Sequence, residues 1–312
     1  FGLNALGGSL SVVLKTGFTF DGGDADISGG SFGRAEGAFD YGAQDGATAV
    51  YVAGHAARED GWREHSPSKL GQIYADLGWR ANRAEIHLGV LAADTDLTGN
   101  GAAPVELLAA KRSAVFTWPD NTRNRYLLAR LSGTLQVTNG LSLQGNLYAS
   151  RLDQKTLNGD ASDAEPCDTP AGLLCLDNGD LVTDEMGAPI ADFLDGGVYA
   201  QLNRTSTRTT AFGGTAQAAY ETEISGAANR LVAGVSYDAG RTDFSAASEL
   251  GALSDDRGFI GPGIVIDQID GSIAPVRVSG DNNYIGVYAT DAVSLGDALT
   301  VTLSARYNHA AI

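Results

Sequence analysis

Long apolar runs are missing from this chain. Hydrophobic residues make up 43% of its 312 residues, but no stretch approaches the roughly 18 consecutive apolar residues that a transmembrane helix needs. The sequence therefore contains no candidate for a transmembrane helix. Methionine (1) and proline (8) are also scarce, whereas glycine is abundant at 41 residues. Such a composition suits curved strands and tight turns better than helices.

Cysteine occurs only twice, at Cys167 and Cys175, and both lie in a polar, acidic stretch. A metal site would need further ligands, and no histidine lies nearby, which also disfavours Cys–His catalysis. A close pair of this kind is typical of a short-range disulfide formed in an oxidising compartment. We therefore predict a disulfide between Cys167 and Cys175 and no metal site.

Basic residues are few. Lys and Arg total 21 against 38 Asp and Glu, which gives a net charge of −17. This charge excludes nucleic acid as a partner, because phosphates require clustered cations. Much of the acid is local, since eleven carboxylates accompany Lys155 alone between residues 153 and 195. We interpret this segment as a long solvated loop, with a cation site as the alternative.

Catalytic and metal-binding motifs are absent from the sequence as well. The Gly-rich stretch 29–33 lacks the lysine and the following helix of a phosphate loop. The Asp-rich stretch 21–26 lacks the terminal glutamate of a calcium loop. We predict no enzyme and no cofactor, and for His87 a hydrogen-bonding role on the polar face of a strand. The four histidines are scattered without metal-type spacing: His55, His65, His87 and His309.

What the sequence does have is regular alternation. Between residues 127 and 138 apolar residues occupy the odd positions and mostly polar residues the even ones, and after Asn139-Gly140 the pattern resumes up to residue 150. Side chains of a strand point to opposite faces with period two, so these segments predict ribbons with one apolar and one polar surface. Repeated at strand lengths of ten or more, this pattern is typical of an outer-membrane β-barrel.

Eleven extended segments are predicted, joined by alternately short and long connections as in outer-membrane barrels. Gly, Asn and Asp mark the short turns. A soluble β-sandwich is the alternative, disfavoured by the strand lengths and the longest loop. The predicted strands cover 24–31, 34–42, 47–58, 70–80, 84–94, 122–138, 141–153, 207–221, 229–244, 282–292 and 298–309. The predicted long loops are 59–69, 95–121, 154–206 and 245–281.

Several stretches resemble one family. Residues 1–15, FGLNALGGSLSVVLK, resemble the end of the plug domain of TonB-dependent outer-membrane receptors. Residues 28–34 look like that family's first barrel hairpin, residues 60–66 like its second extracellular loop, and residues 97–108 like a subgroup-specific third loop. The resemblance implies an all-β, antiparallel transmembrane barrel with about 11 of 22 strands present. Residues 1–20 would end a plug domain, and residues 21–312 would form the N-terminal half of the barrel.

The resemblance also implies a function. It is TonB-dependent active uptake of a scarce ligand, most often a ferric siderophore and sometimes cobalamin or a carbohydrate, across the outer membrane of a Gram-negative bacterium. The implied partners are TonB, outer-membrane lipid and the small-molecule ligand. A passive porin-like channel, and a surface adhesin or soluble β-sandwich, are the alternatives. Aromatic rings and cations suit sugars and acidic chelates, so the candidate contact residues are Trp62, Arg63, His65, Trp118, Arg123 and Arg125.

The sequence shows no signal peptide, no TonB box and only the end of a plug, so we expect it to be a segment of a longer protein. The four predicted long loops all lie on the outer rim, as in the receptor family, only if Phe32-Gly33 forms a tight hairpin on that same rim. An open half-barrel would leave backbone groups unpaired in lipid, at a cost of several kcal/mol per group. We therefore predict that the segment does not function alone.

Overall fold

The computed structural model describes residues 12–267, 275–296 and 298–312. No helix in these ranges is long and apolar enough to cross a membrane. In chain order the described elements are β1 (Gly22–Gly29), β2 (Ala35–Gln44), β3 (Thr48–Glu59), β4 (Ser68–Ala81), β5 (Ala84–Thr98), α1 (Val105–Ala110), β6 (Asp120–Gln136), β7 (Leu141–Ala161), β8 (Glu165–Pro166), β9 (Leu174–Cys175), β10 (Tyr199–Ile224), β11 (Ala227–Leu253), β12 (Phe259–Ile266), β13 (Pro275–Ser294) and β14 (Thr300–Ala311).

Eleven of these strands form one continuous antiparallel sheet. Their order is β1-β2-β3-β4-β5-β6-β7-β10-β11-β13-β14, so each strand pairs with the next long strand along the chain. β12 pairs with the end of β11, and β8 and β9 form a separate two-stranded hairpin. The predicted all-β, antiparallel fold and its eleven strands are thereby confirmed. Residues 1–11, most of the predicted plug segment, lie outside the described residues.

The two faces of this sheet differ sharply in chemistry. Leu88, Leu131 and Leu147 oppose one another on β5, β6 and β7 and are 48%, 45% and 62% exposed. On β4, Leu77 is 57% exposed, whereas its neighbour Asp76 is only 4% exposed. The face that carries these leucines is called the apolar face below, and the face that carries Asp76 is called the polar face. The predicted alternation is confirmed, because the register between the long strands runs without a shift.

Connections at the two ends of the strands differ in length, as the sequence predicts. The short-turn rim holds the turns 45–47, 82–83, 137–140 and 225–226, and the opposite long-loop rim holds the loops 60–67, 99–119 and 162–198. The exception on the long-loop rim is a tight hairpin between β1 and β2, where Phe32 and Gly33 have φ of 62° and 68°. The two consecutive left-handed residues match a type I′ turn. The required Phe32-Gly33 hairpin is therefore present.

Several strands extend further than predicted. β10 begins at Tyr199 instead of residue 207, and β11 ends at Leu253 instead of residue 244. The predicted loop 154–206 is accordingly shortened to 162–198, and much of the predicted loop 245–281 is strand. The alternation that marks a strand in the sequence fades beyond the exposed leucines. The backbone ladder between β7, β10 and β11 nevertheless continues there.

Residues 162–198 form a small loop module with its own core at the long-loop rim. The module packs on Leu250 of β11. Leu250 lies an odd number of residues from exposed Val235 on the same strand, so its side chain, and the module on it, lie on the polar face. Within it, a disulfide joins Cys167, which directly follows β8, to Cys175 in β9. Nine carboxylates and no Lys or Arg lie in the module. Its buried core consists of Ala164, Leu174, Val182 and Ile190, packed on Tyr199 of β10, Leu250 of β11 and Ile266 of β12.

The apolar face generates a first prediction. Leu131 lies in the middle of the exposed leucine rows, so Leu131→Arg should lower the free energy of unfolding in lipid vesicles by about 2–4 kcal/mol, because a cation would be placed at the bilayer midplane. Thr134→Arg on the polar face of the same strand is the control and should change it by less than about 1 kcal/mol. Urea unfolding of the two variants measures both values, and equal losses would contradict a lipid-facing apolar face.

The disulfide generates a second prediction. Without reduction, the denatured protein should incorporate no maleimide-polyethylene glycol, and after reduction it should incorporate two, at Cys167 and Cys175. A gel shift counts the labels directly. Labelling of the unreduced, denatured chain would show that the two thiols are free.

Candidate functional site

Residues 12–20 lie across the polar face close to the short-turn rim. The Lys15 Nζ contacts Asp40 Oδ2 at 2.6 Å, and the Tyr51 hydroxyl donates to the same carboxylate at 2.9 Å. Phe18 packs edge-on against His87 with ring centres 5.8 Å apart. A Cβ at Gly17 would lie 2.5 to 2.8 Å from backbone atoms of Val50, so only glycine permits this approach to β3. The segment is therefore fitted to the inner surface of β2–β5.

A hydrogen-bonded chain of side chains supports this contact. His87 Nδ1 lies 2.8 Å from Asp76 Oδ1, and His87 Nε2 lies 2.9 Å from Glu85 Oε1. Arg80 donates to Glu85 at 2.6 Å and places its guanidinium carbon 3.9 Å from the centre of the Phe18 ring. His87 thus has the hydrogen-bonding role predicted for it. Cation, carboxylate and imidazole together hold one wall of the polar face against residues 12–20.

Loops meet at the opposite, long-loop rim. His65 from loop 60–67 stacks on Trp118 from loop 99–119, with ring centres 4.1 Å apart and planes inclined by 12°. Trp118 Nε1 donates to the carbonyl of Asp256 at 3.1 Å, and His65 Nε2 lies 3.8 Å from the Asp256 carboxylate. A 2.5 Å hydrogen bond from Ser254 lowers the pKa of that carboxyl. This three-loop cluster is called the loop junction below.

Further contacts extend the loop junction. The Arg257 guanidinium lies 4.2 Å above the ring of Phe116 and its Nε donates to the Phe116 carbonyl. Arg63 donates to the carbonyl of Gly101 at 3.2 Å, which ties loop 60–67 to loop 99–119. These contacts join residues far apart in the chain. They join loops 60–67 and 99–119 and residues 254–258 into one connected surface at this rim, which is called the loop roof below.

The predicted contact residues fall into two groups. Trp62, Arg63, His65 and Trp118 lie in the loops, where Trp62 is 50% exposed and has the Arg63 guanidinium 5.2 Å from its ring centre. Arg123 and Arg125 lie on the apolar face of β6 and contact Asp94 at 3.6 and 3.1 Å. They are therefore not brought together with the other four. Phe116, Asp256 and Arg257 belong to the loop junction and were missed, because no local pattern in a loop reports which distant loop it will contact.

No cluster of three or more His, Cys, Asp or Glu side chains that could hold a metal ion occurs among the described residues. The nine carboxylates of the loop module are spread over its surface. Buried Tyr199 donates to Asp192 at 2.5 Å, and its burial and this hydrogen bond raise the pKa of the tyrosine hydroxyl. The observed polar contacts of the module thus lie within it or join it to the adjacent strands.

Comparison with solved structures identifies proteins that share this fold. No protein-family model and no curated protein sequence matches the chain. Among solved structures, the open form of the ferric-catecholate import receptor Fiu from E. coli K12 superimposes with a TM-score of 0.67 at 12% identity, over 95% of this chain and 45% of Fiu. FpvA of P. aeruginosa bound to pyoverdines gives 0.63 at 13%, over 92% and 36%. The RagAB peptide transporter gives 0.57 at 10%, over 89% and 32%.

The chain therefore has the fold of part of the β-barrel of TonB-dependent receptors. It spans less than half the length of the solved receptors that it matches. The structures matched are transport proteins, and their cargoes differ, from iron chelates to peptides. At 10–13% identity, this likeness shows the fold.

The loop junction generates a third prediction. Trp118→Ala removes the stacking partner of His65 and the hydrogen bond to Asp256, so trypsin should cleave the folded protein several-fold faster at Lys111, Arg112 and Arg257. Aromatic stacking and one hydrogen bond are together worth about 1–3 kcal/mol. Trp62→Ala is the control, because Trp62 is exposed and makes no ring stack with a described residue. Equal cleavage rates in the two variants would contradict the junction.

Proposed function

We propose that the protein takes part in TonB-dependent active uptake of a scarce ligand across the outer membrane of a Gram-negative bacterium, with ferric siderophores as the favoured ligand class. One observation carries the proposal: residues 12–20 are fitted to the polar face at one rim, while a connected loop roof covers the other. A passive pore needs neither feature. Solved structures with this fold include ferric-catecholate and ferric citrate import proteins, which support the ligand class.

Residues 1–20 are proposed to be the C-terminal end of a plug domain, and residues 21–312 the N-terminal half of the barrel. The contacts of Lys15, Phe18 and Phe20 with β2–β5 support this division, because they join the segment to the wall through side chains of the polar face. TonB would act on the plug. The path from the plug to the wall would then run through the His87 network.

Exposed Trp62 and half-buried Arg63 form the proposed ligand contact surface at the loop roof. Aromatic and guanidinium groups bind chelates through stacking and charge-assisted hydrogen bonds. His65 and Trp118 are proposed to shape this surface, since they face each other in the loop junction. The acidic loop module at the same rim should slow the approach of strongly anionic chelates, so the guanidinium of Arg63 is the proposed attractive contact for an acidic chelate.

The alternatives predict different molecules. A soluble β-sandwich would bury the leucines of β5–β7 beneath a second sheet, and the described residues place no such sheet over them. A passive porin-like channel would transport without TonB. A surface adhesin would bind at the loops and transport nothing.

Whole-cell uptake of radiolabelled ferric chelates tests the proposal and gives a fourth prediction. Cells that carry the full-length protein should show saturable uptake that is lost without TonB or after addition of a protonophore. Arg63→Gln should raise the half-saturating chelate concentration about tenfold, the cost of a lost charged hydrogen bond. Arg125→Gln, the matched control on the apolar face, should leave it within twofold.

Each alternative gives its own result in that assay. Unsaturable uptake that persists without TonB would identify a passive channel. Binding of cells to a surface without uptake of any chelate would identify an adhesin. Saturable, TonB-dependent uptake of a cargo other than iron chelates would retain active import and overturn the siderophore ligand.

A further inference from the structure

Basic side chains concentrate at one level of the sheet, although the whole chain has only 21 of them. One line of directly opposed positions crosses eight strands, from β3 to β13, and is called the cationic row. It contains five cations, two hydroxyl groups and one carboxylate. Its members are Arg58, Lys69, Asp96, Arg123, Lys155, Ser206, Ser245 and Arg277.

The cationic row lies on the apolar face. Arg123 is four residues from exposed Leu127 on β6, and Arg277 is eight residues from exposed Ile285 on β13. An even separation on a strand places two side chains on the same face. All five cations of the row are exposed. The row therefore continues the leucine-bearing surface towards the long-loop rim.

The level of the row matches the headgroup layer of a bilayer. Four residues of strand span roughly 14 Å, which a tilt of about 40° reduces to about 10 Å along the membrane normal. The headgroup region extends roughly 5–8 Å beyond the hydrocarbon. The cations thus lie at the outer edge of the headgroups when the leucine rows lie in hydrocarbon.

Charges nearer the leucines are already compensated within the sheet. Arg125 and Arg208 each lie two residues closer to the leucines along their strands than the cationic row does. Arg125 contacts Asp94 at 3.1 Å, and Arg208 contacts Asp153 at 2.8 Å. The cationic row differs, since four of its five cations make no ion pair within 4 Å to any described residue. These four are Arg58, Lys69, Lys155 and Arg277. The side chains of Ser206 and Ser245 between them make no hydrogen bond to a described residue either.

We propose that the cationic row binds the phosphate groups of an anionic lipid in the outer leaflet. Guanidinium and ammonium groups with hydroxyl donors are the chemistry that recognises phosphate, and cations at a membrane surface attract anionic headgroups. The row extends over roughly 34 Å at the usual strand spacing, which fits a lipid with at least two phosphates better than a single monophosphate. This proposal rests on the contact between the apolar face and lipid and is independent of the transported ligand.

Native mass spectrometry of the full-length protein in detergent tests the proposal, with bisphosphorylated lipid A as the probe. The variant Arg58→Gln/Lys69→Gln/Lys155→Gln/Arg277→Gln should need at least a tenfold higher lipid A concentration for half-occupancy. The control Arg112→Gln/Arg130→Gln/Arg230→Gln/Arg306→Gln has the same change in net charge but lies off the cationic row. It should bind within twofold of the original protein.

The outcomes separate the proposal from its rivals. Unchanged lipid A binding by the first variant would overturn it, and so would an equal loss in the control, which would show non-specific charge attraction. Monophosphoryl lipid A should bind several-fold more weakly, and equal binding would overturn the need for two phosphates. Displacement of lipid A by excess inorganic phosphate would overturn a lipid site. The heat-dependent gel mobility of a folded barrel controls for folding, and if the fourfold variant does not fold, Arg58→Gln/Lys69→Gln and Lys155→Gln/Arg277→Gln are tested separately.

Discussion

An unbroken antiparallel register is the constraint on which the rest of the structure depends. Every long strand pairs with the next long one along the chain, and the pairing keeps the same parity from β2 to β14. A slip of one residue at any pair would turn a whole strand's apolar side chains to the polar face. The continuity of the ladder is thus what gives the sheet one apolar surface and one polar surface.

The same register also determines which polar side chains lie next to one another on the polar face. Asp76 and His87 stand close together on adjacent strands, and the Asp40 carboxylate meets Lys15 and Tyr51 from two other directions. Buried polar groups of this kind are stabilised only when each finds a partner. Residues 12–20 supply part of that partnership, so the wall and the segment across it are energetically coupled.

Parts of this structure could be predicted from the sequence and parts could not. The alternation in 127–149 and the Asn139-Gly140 turn predict β6 and β7, because a strand with one apolar and one polar face alternates apolar and polar residues. The ends of β10 and β11 at the long-loop rim show no such alternation, because the rows of apolar side chains end before them. The stacking of His65 on Trp118 joins separate loops, which no local sequence pattern predicts. The candidate contacts Arg123 and Arg125 share the odd positions of Leu127 on β6. Applying the same parity beyond the leucines would have placed them on the apolar face.

The central claim is that odd positions of β6 contact hydrocarbon and even positions contact a polar interior. Cysteine substitution and nitroxide labelling at each position from 127 to 135, in the protein reconstituted in bilayers, measures this directly by electron paramagnetic resonance. We expect accessibility to oxygen, which partitions into lipid, to peak at odd positions, and accessibility to a water-soluble nickel chelate to peak at even ones. Accessibility without a period of two, or with the even positions in lipid, would contradict the claim.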